Sequence, residues 1–136
     1  MRYLIDTNIL VDIIVHDDIS SDLSEIINDC EHTVYVSSES IKEFIHLVQI
    51  RRIKPKKEFG SMDIFCLIEN ILGFGVKYVA EEHLRTFFNL DVVEGHNDPS
   101  DRLIIAQAIT EKIPLISSDS KFPKYRKQGL EFIPNY

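Results

Sequence analysis

The chain has 136 residues, of which 44% are hydrophobic and 27% charged, and its formal net charge is −7. That length suits one domain, residues 1–136, with a core large enough to need no disulfide or metal staple. The acidic balance argues against a broad phosphate-binding surface, which needs Lys and Arg, and no apolar run approaches the ~18 residues that span a bilayer.

Met1 to Asp6 does not read as a signal peptide, because the apolar run is short and Asp6 interrupts it. Cys30 and Cys66 form no C-x-x-C pair and are expected to be reduced. A cytoplasmic location is the expectation.

Tyr3-Leu4-Ile5 is a short apolar run that predicts a buried strand. Ile9, Leu10, Ile13 and Ile14 then fall at helical spacing until Asp17-Asp18 breaks the pattern. Ser20 or Ser21 can cap a second helix carrying Leu23, Ile26 and Ile27. Thr33 to Ser37 is β-branched and aromatic, a second strand.

From Ser38 to Ile53 the spacing predicts a long helix with Ile41, Phe44, Ile45 and Val48 on one face. Met62 to Leu72 predicts another, stopped by Gly73 and Gly75. Val76 to Val79 reads as a strand and Glu81 to Asn89 as a helix. Asp98-Pro99 opens a helix that runs to about Lys112, with Pro at the first helical position after an Asp cap. Pro114 to Ser118 is a strand, and a last strand covers Leu130 to Ile133 after a short piece at Phe122 to Arg126. Strands alternating with helices predict an α/β fold, a three-layer α/β/α sandwich with a mainly parallel central sheet.

In an open parallel sheet, ligands bind at the carboxyl ends of the strands. Acids stand where those ends are predicted: Asp6 after the first strand, Glu43 early in the helix after the second, Asp98 and Asp101 where a later helix opens, and Asp119 after the strand ending at Ser118. Carboxylates drawn together from separate segments take up protons or bind a cation. A donor set of oxygens alone favours hard ions, Mg2+ or Mn2+, over zinc. Bound in such a pocket, one or two of these ions support hydrolysis of a phosphodiester.

Four segments carry a resemblance to a known family. Tyr3-Leu4-Ile5-Asp6-Thr7-Asn8-Ile9-Leu10 resembles the opening motif of PIN domains, and Ser37-Ser38-Glu39-Ser40-Ile41-Lys42-Glu43 is similar to their central glutamate segment. His96 to Ala108, HNDPSDRLIIAQA, resembles the second signature of VapC-type toxins, and Leu115-Ile116-Ser117-Ser118-Asp119 the last acidic motif. The resemblance spans nearly the whole chain, with the motifs in order. It implies a PIN fold and an Mg2+- or Mn2+-dependent endoribonuclease, the toxin of a toxin–antitoxin pair. By the same resemblance Asp6, Glu43, Asp101 and Asp119 are the catalytic, metal-binding acids and Asp98 is a fifth candidate. Thr7, Asn8 and Ser118 would support them, and the partners would be RNA, a cognate antitoxin and a second copy of the chain.

Each residue also has a structural reading. Asp6 can cap the following helix, although Thr7 or Asn8 could serve instead. Ser40 with Glu43 spells a capping box, but the apolar face already begins at Ile41, which favours a helix start at Ser37 or Ser38. Asp98 suits a cap and Asp101 a ligand, while Asp119 could be a turn residue. His96, in a loop, reads more as a packing or solvated group than as a general base. Arg51, Arg52, Lys54, Lys56 and Lys57 form a basic run whose Arg51, Arg52 and Lys54, with Arg102, are candidates for RNA phosphates; Lys121 to Lys127 is a looser one. The rival functions are a non-catalytic PIN-like binding module and an aspartyl-nucleophile phosphatase. The latter commonly uses D-x-D, and position 8 is Asn.

Overall fold

The structure is a computed structural model that describes residues 1–56, 59 and 62–135. Among them, β1 (Arg2–Ile5), β2 (Thr33–Ser37), β3 (Gly75–Lys77), β4 (Leu115–Ser117) and β5 (Phe132–Pro134) form one sheet in the order β3-β2-β1-β4-β5. Every neighbouring pair is parallel. The sheet expected to be mainly parallel is therefore wholly so.

The strand period of two sorts side chains into two cores. Tyr3 and Ile5 of β1, Val34 and Val36 of β2 and Ile116 of β4 face one side. There they meet α1 (Thr7–Val11, continuing as a π-helical turn, Asp12–His16), α2 (Ser21–Asn28) and α3 (Ser38–Gln49). α4 (Ile64–Cys66, continuing as a π-helical turn, Leu67–Ile71) packs there too, through Leu67 and Ile68. Leu4 and Leu115 face the other side, packed on Ile104, Ile105 and Ala108 of α6 (Pro99–Glu111). α5 (Glu81–Asn89) lies against α6, and Phe122 and Tyr125 of a 3-10 helix (Phe122–Gln128) complete this second core. The three-layer expectation is met. No helix among the described residues is long and apolar enough to cross a membrane.

Several boundaries differ from expectation for local reasons. α3 ends at Gln49, short of Ile53, because Arg51 takes a left-handed φ of 60°. The amides of Arg51 and Arg52 then bond back to Val48 and Leu47, a Schellman closure without glycine. The helix expected over Met62–Leu72 begins at Ile64, after Asp63 caps it by accepting from Phe65 and Cys66 N–H. Gly75, expected to stop that helix with Gly73, starts β3 instead. A Cβ there would lie 2.7 Å from the Tyr35 ring on the paired strand, so only glycine fits. The last strands are shorter than expected or shifted towards the C-terminus.

The chain runs from β1 outward through β2 to β3, then crosses back to place β4 on the other side of β1. That reversal opens a crevice outside the carboxyl ends of β1 and β4. Asp6 follows the one strand and Asp119 the other.

Candidate metal centre

Asp6 is 2% exposed and caps α1: its Oδ1 accepts the Ile9 N–H at 3.0 Å. Its Oδ2 accepts from Ser117 Oγ on neighbouring β4 at 2.5 Å. The cap reading of Asp6 holds, and the cap uses only one of its two oxygens. Burial pushes its pKa up to about 6 against these two hydrogen bonds, and the charge of Asp119 adds to the rise.

Ser37 caps α3, so the helix starts where the apolar face required and Ser40–Glu43 is not a capping box. Glu43, in the second turn, accepts from Thr7 Oγ1 at 2.7 Å. Burial is the main cause of its raised pKa, with the charges of Asp98 and Glu39 contributing. Asn8 is exposed, so the hydrogen bonds that orient the first loop come from Thr7 and from Ser117.

Asp98 caps α6, its Oδ1 accepting from the N–H groups of Ser100 and Asp101. Asp101 turns inward. Burial, then the charges of Asp98, Glu43, Asp6 and Asp119, push its pKa up to about 7. That one carboxyl thus feels every other acid singled out from the sequence. Asp119 lies just beyond β4, where its N–H bonds to Ser117 Oγ at 3.0 Å and its Oδ1 accepts from Lys121 N–H at 2.8 Å. Ser118, half-buried, stands beside it.

His96 is 3% exposed rather than solvated. Its Nδ1 lies 2.8 Å from the Tyr125 hydroxyl and its Nε2 3.4 Å from Asp101 Oδ2. Burial lowers its pKa, which favours the neutral ring. Ligand atoms of His96, Asp101 and Asp119 lie within 4.8 Å of one another.

The charges of this pocket are not balanced by the chain. Among the described residues no Lys or Arg forms a salt bridge with Asp6, Glu43, Asp98, Asp101 or Asp119; the nearest pair is Lys42 with Glu39, at 2.7 Å. The oxygen-rich set, in which burial first and then neighbouring carboxylates raise the pKa values of Asp6 and Asp101, fits a hard divalent cation.

The basic candidates lie elsewhere. Arg51, Arg52 and Lys54 are exposed beyond the far end of α3. Six residues of helix carry the chain from Glu43 to Gln49, about 9 Å at 1.5 Å per residue, and Arg51 lies beyond that end. Lys56 pairs with Asp17 at 2.9 Å, and Lys57 lies outside the described residues. Arg102 sits over the Phe87 ring on α5, 5.3 Å from its centroid.

Sequence reasoning passed over Glu39 and Tyr125. Glu39 accepts from Ser100 Oγ at 2.8 Å and so ties α3 to α6 beside the pocket. Its place four residues before Glu43, on the same helical face, was the available signal. Nothing in the sequence marks Tyr125, which reaches His96 across 29 positions.

A wholly parallel sheet with carboxylates gathered at its switch point defines an α/β protein whose acidic cluster could hold a metal ion. The chain belongs to the PIN domain family, whose sequence profile matches residues 3–128. No curated protein matches its sequence. Among solved structures, the fold is similar to that of VapBC2 from Rickettsia felis bound to a DNA fragment from their promoter, with TM-score 0.72, 18% identity and full coverage of both chains. VapBC-1 from nontypeable Haemophilus influenzae gives 0.71 and 17% over 98% of each chain. FitAcB from Neisseria gonorrhoeae gives 0.64 and 14% over 96% of each.

Proposed function

We propose that the chain is an Mg2+- or Mn2+-dependent endoribonuclease acting in the cytoplasm as the toxin of a toxin–antitoxin pair. The observation that carries this reading is the crowding around Asp101: Asp6, Glu43 and Asp119 from three other segments, with Asp98 of its own helix start, press on one half-buried carboxyl, and among the described residues no Lys or Arg is salt-bridged to any of the five. Asp6, Glu43, Asp101 and Asp119 would hold one or two ions, with Asp98 at the rim. A bound ion supplies positive charge for the phosphate oxygens and acidifies water.

The chain's own groups do the positioning. Thr7 aligns Glu43, and Ser117 spans Asp6 and the Asp119 amide. In the reaction water adds to phosphorus, the P–O bond to the leaving sugar oxygen breaks, and that oxygen takes a proton. The acidic pocket also suits an Arg or Lys from an antitoxin, which would neutralise it and exclude the cation.

A homodimer fits the surface of α5. Leu84 and Phe88, 50% and 87% exposed, form an apolar strip flanked by the Glu81–Arg85 pair. Two copies crossing antiparallel would set each Arg85 against the other Glu81, a self-complementary contact of the kind a two-fold requires.

Purified protein incubated with total RNA, with Mn2+ or with chelator, tests the activity. Cleavage at mapped sites with Mn2+, lost on chelation and in Asp6→Asn and Asp101→Asn, is the expected result. Inertness of the parent towards RNA with Mn2+, or wild-type cutting by Asp6→Asn, would overturn the proposal.

A further inference from the structure

The hydrogen bonds around His96 have one consistent assignment of protons. Tyr125 is fully buried. Its hydroxyl oxygen receives the Val93 N–H at 3.4 Å, so its own proton needs an acceptor. Among the described residues the only acceptor in reach is His96 Nδ1, at 2.8 Å. Tyr125 therefore donates and Nδ1 accepts. With Nδ1 accepting, the ring's proton sits on Nε2, which faces Asp101 Oδ2 at 3.4 Å and donates to it. Edge-on contacts with Phe122 and Tyr125 hold the ring in this plane.

This accounting decides between two roles. The proximity of His96, Asp101 and Asp119 would suit a mixed nitrogen–oxygen metal site, in which Nε2 ligates. A nitrogen that carries a proton has no lone pair for a cation. The same donor can instead fix the rotamer of a ligating carboxylate from behind.

We propose that His96 is a positioning residue: locked in its Nε2–H form by Tyr125, it holds the Asp101 carboxylate toward the cation and is not itself a ligand. The donor set stays all oxygen, which favours Mg2+ and Mn2+ over zinc. The proposal rests on the metal-site reading above. A Val93–Tyr125–His96–Asp101 chain thus ties the loop before α6 to the pocket through the second core.

Two substitutions separate the ring's ends. In His96→Gln the amide nitrogen stands near the place of Nε2 and can still donate to Asp101. In His96→Asn the side chain ends near the place of Nδ1, so it keeps Tyr125 and loses Asp101. Mn2+ affinity, measured by calorimetry on the full chain with thermal melts as a folding control, should fall about tenfold or more in His96→Asn and stay within about threefold in His96→Gln. 15N imidazole shifts of the unsubstituted protein, recorded with and without Mg2+, should report a protonated Nε2 in both conditions.

Absence of Mn2+ binding by the parent protein overturns the metal-site reading and this inference with it. Parent-like affinity in both variants, with normal binding by the parent, overturns the inference alone. So does a parent spectrum with the proton on Nδ1. If His96→Gln fails to fold, the tautomer in the unsubstituted protein still decides.

Discussion

Asp6→Asn should make the cation-free protein more stable at neutral pH, although it removes a residue of the proposed site. The parent's buried carboxyl is pushed from the usual 3.8 up to about 6, chiefly by desolvation. A folded-state pKa above the unfolded one means that the native protein holds the proton through that window while the unfolded chain releases it. Stability therefore falls as pH rises from about 4 to about 6 and stays low above. At 1.36 kcal/mol per pH unit the ionised carboxylate costs about 3 kcal/mol above pH 6.

Asn keeps an oxygen for the Ile9 N–H and carries no charge. Between about pH 4.5 and about pH 7.5 the stability of the variant relative to the parent should rise by about 2 kcal/mol. For a domain of this size that is a relative gain in Tm of about 8 °C. Thermal melts of both proteins by circular dichroism in chelator, across that pH range, measure it. Parallel Tm curves for the two proteins would refute the claim that Asp6 is held in the crevice as a costly buried charge.

Other outcomes follow from the same geometry. Millimolar Mn2+ should raise the Tm of the parent more at about pH 7.5 than at about pH 5.5, because Asp101, near 7, and Asp6, near 6, hold protons that the ion must displace at the lower pH. Equal shifts at both pH values would count against the site. Ser117→Ala removes a buried hydrogen bond to a carboxylate and the acceptor of the Asp119 N–H, and should cost about 2 kcal/mol in urea unfolding. Phe88→Glu places a charge in the exposed α5 strip and should convert a dimer to a monomer in sedimentation, with cation affinity unchanged.

The layered fold was legible because the first two strands announce themselves twice, by composition and by the helix that follows. Tyr3-Leu4-Ile5 and Thr33–Ser37 are β-branched or aromatic runs, and their neighbours switch at once to helical spacing. Boundaries were less legible where backbone geometry decides them. The end of α3 depends on Arg51 accepting a left-handed φ of 60°, which no sequence rule for glycine or asparagine anticipates. The place of Gly75 depends on the Tyr35 ring across the sheet, a contact invisible along the chain.

The site divides the same way. Asp6, Glu43, Asp98, Asp101 and Asp119 were legible because a parallel sheet presents strand ends on one edge, so position relative to strands is enough to predict convergence. What the sequence could not assign is which oxygen does what. Asp6 caps a helix with one oxygen and meets Ser117 with the other, a contact across 111 positions that a linear reading does not contain. His96 was read as a packing or solvated loop residue because its partner Tyr125 stands 29 positions further along the chain and meets it only when the second core closes. Asp6 and Asp119 can be placed from strand order alone; the groups that orient them depend on packing between elements that the sequence leaves far apart.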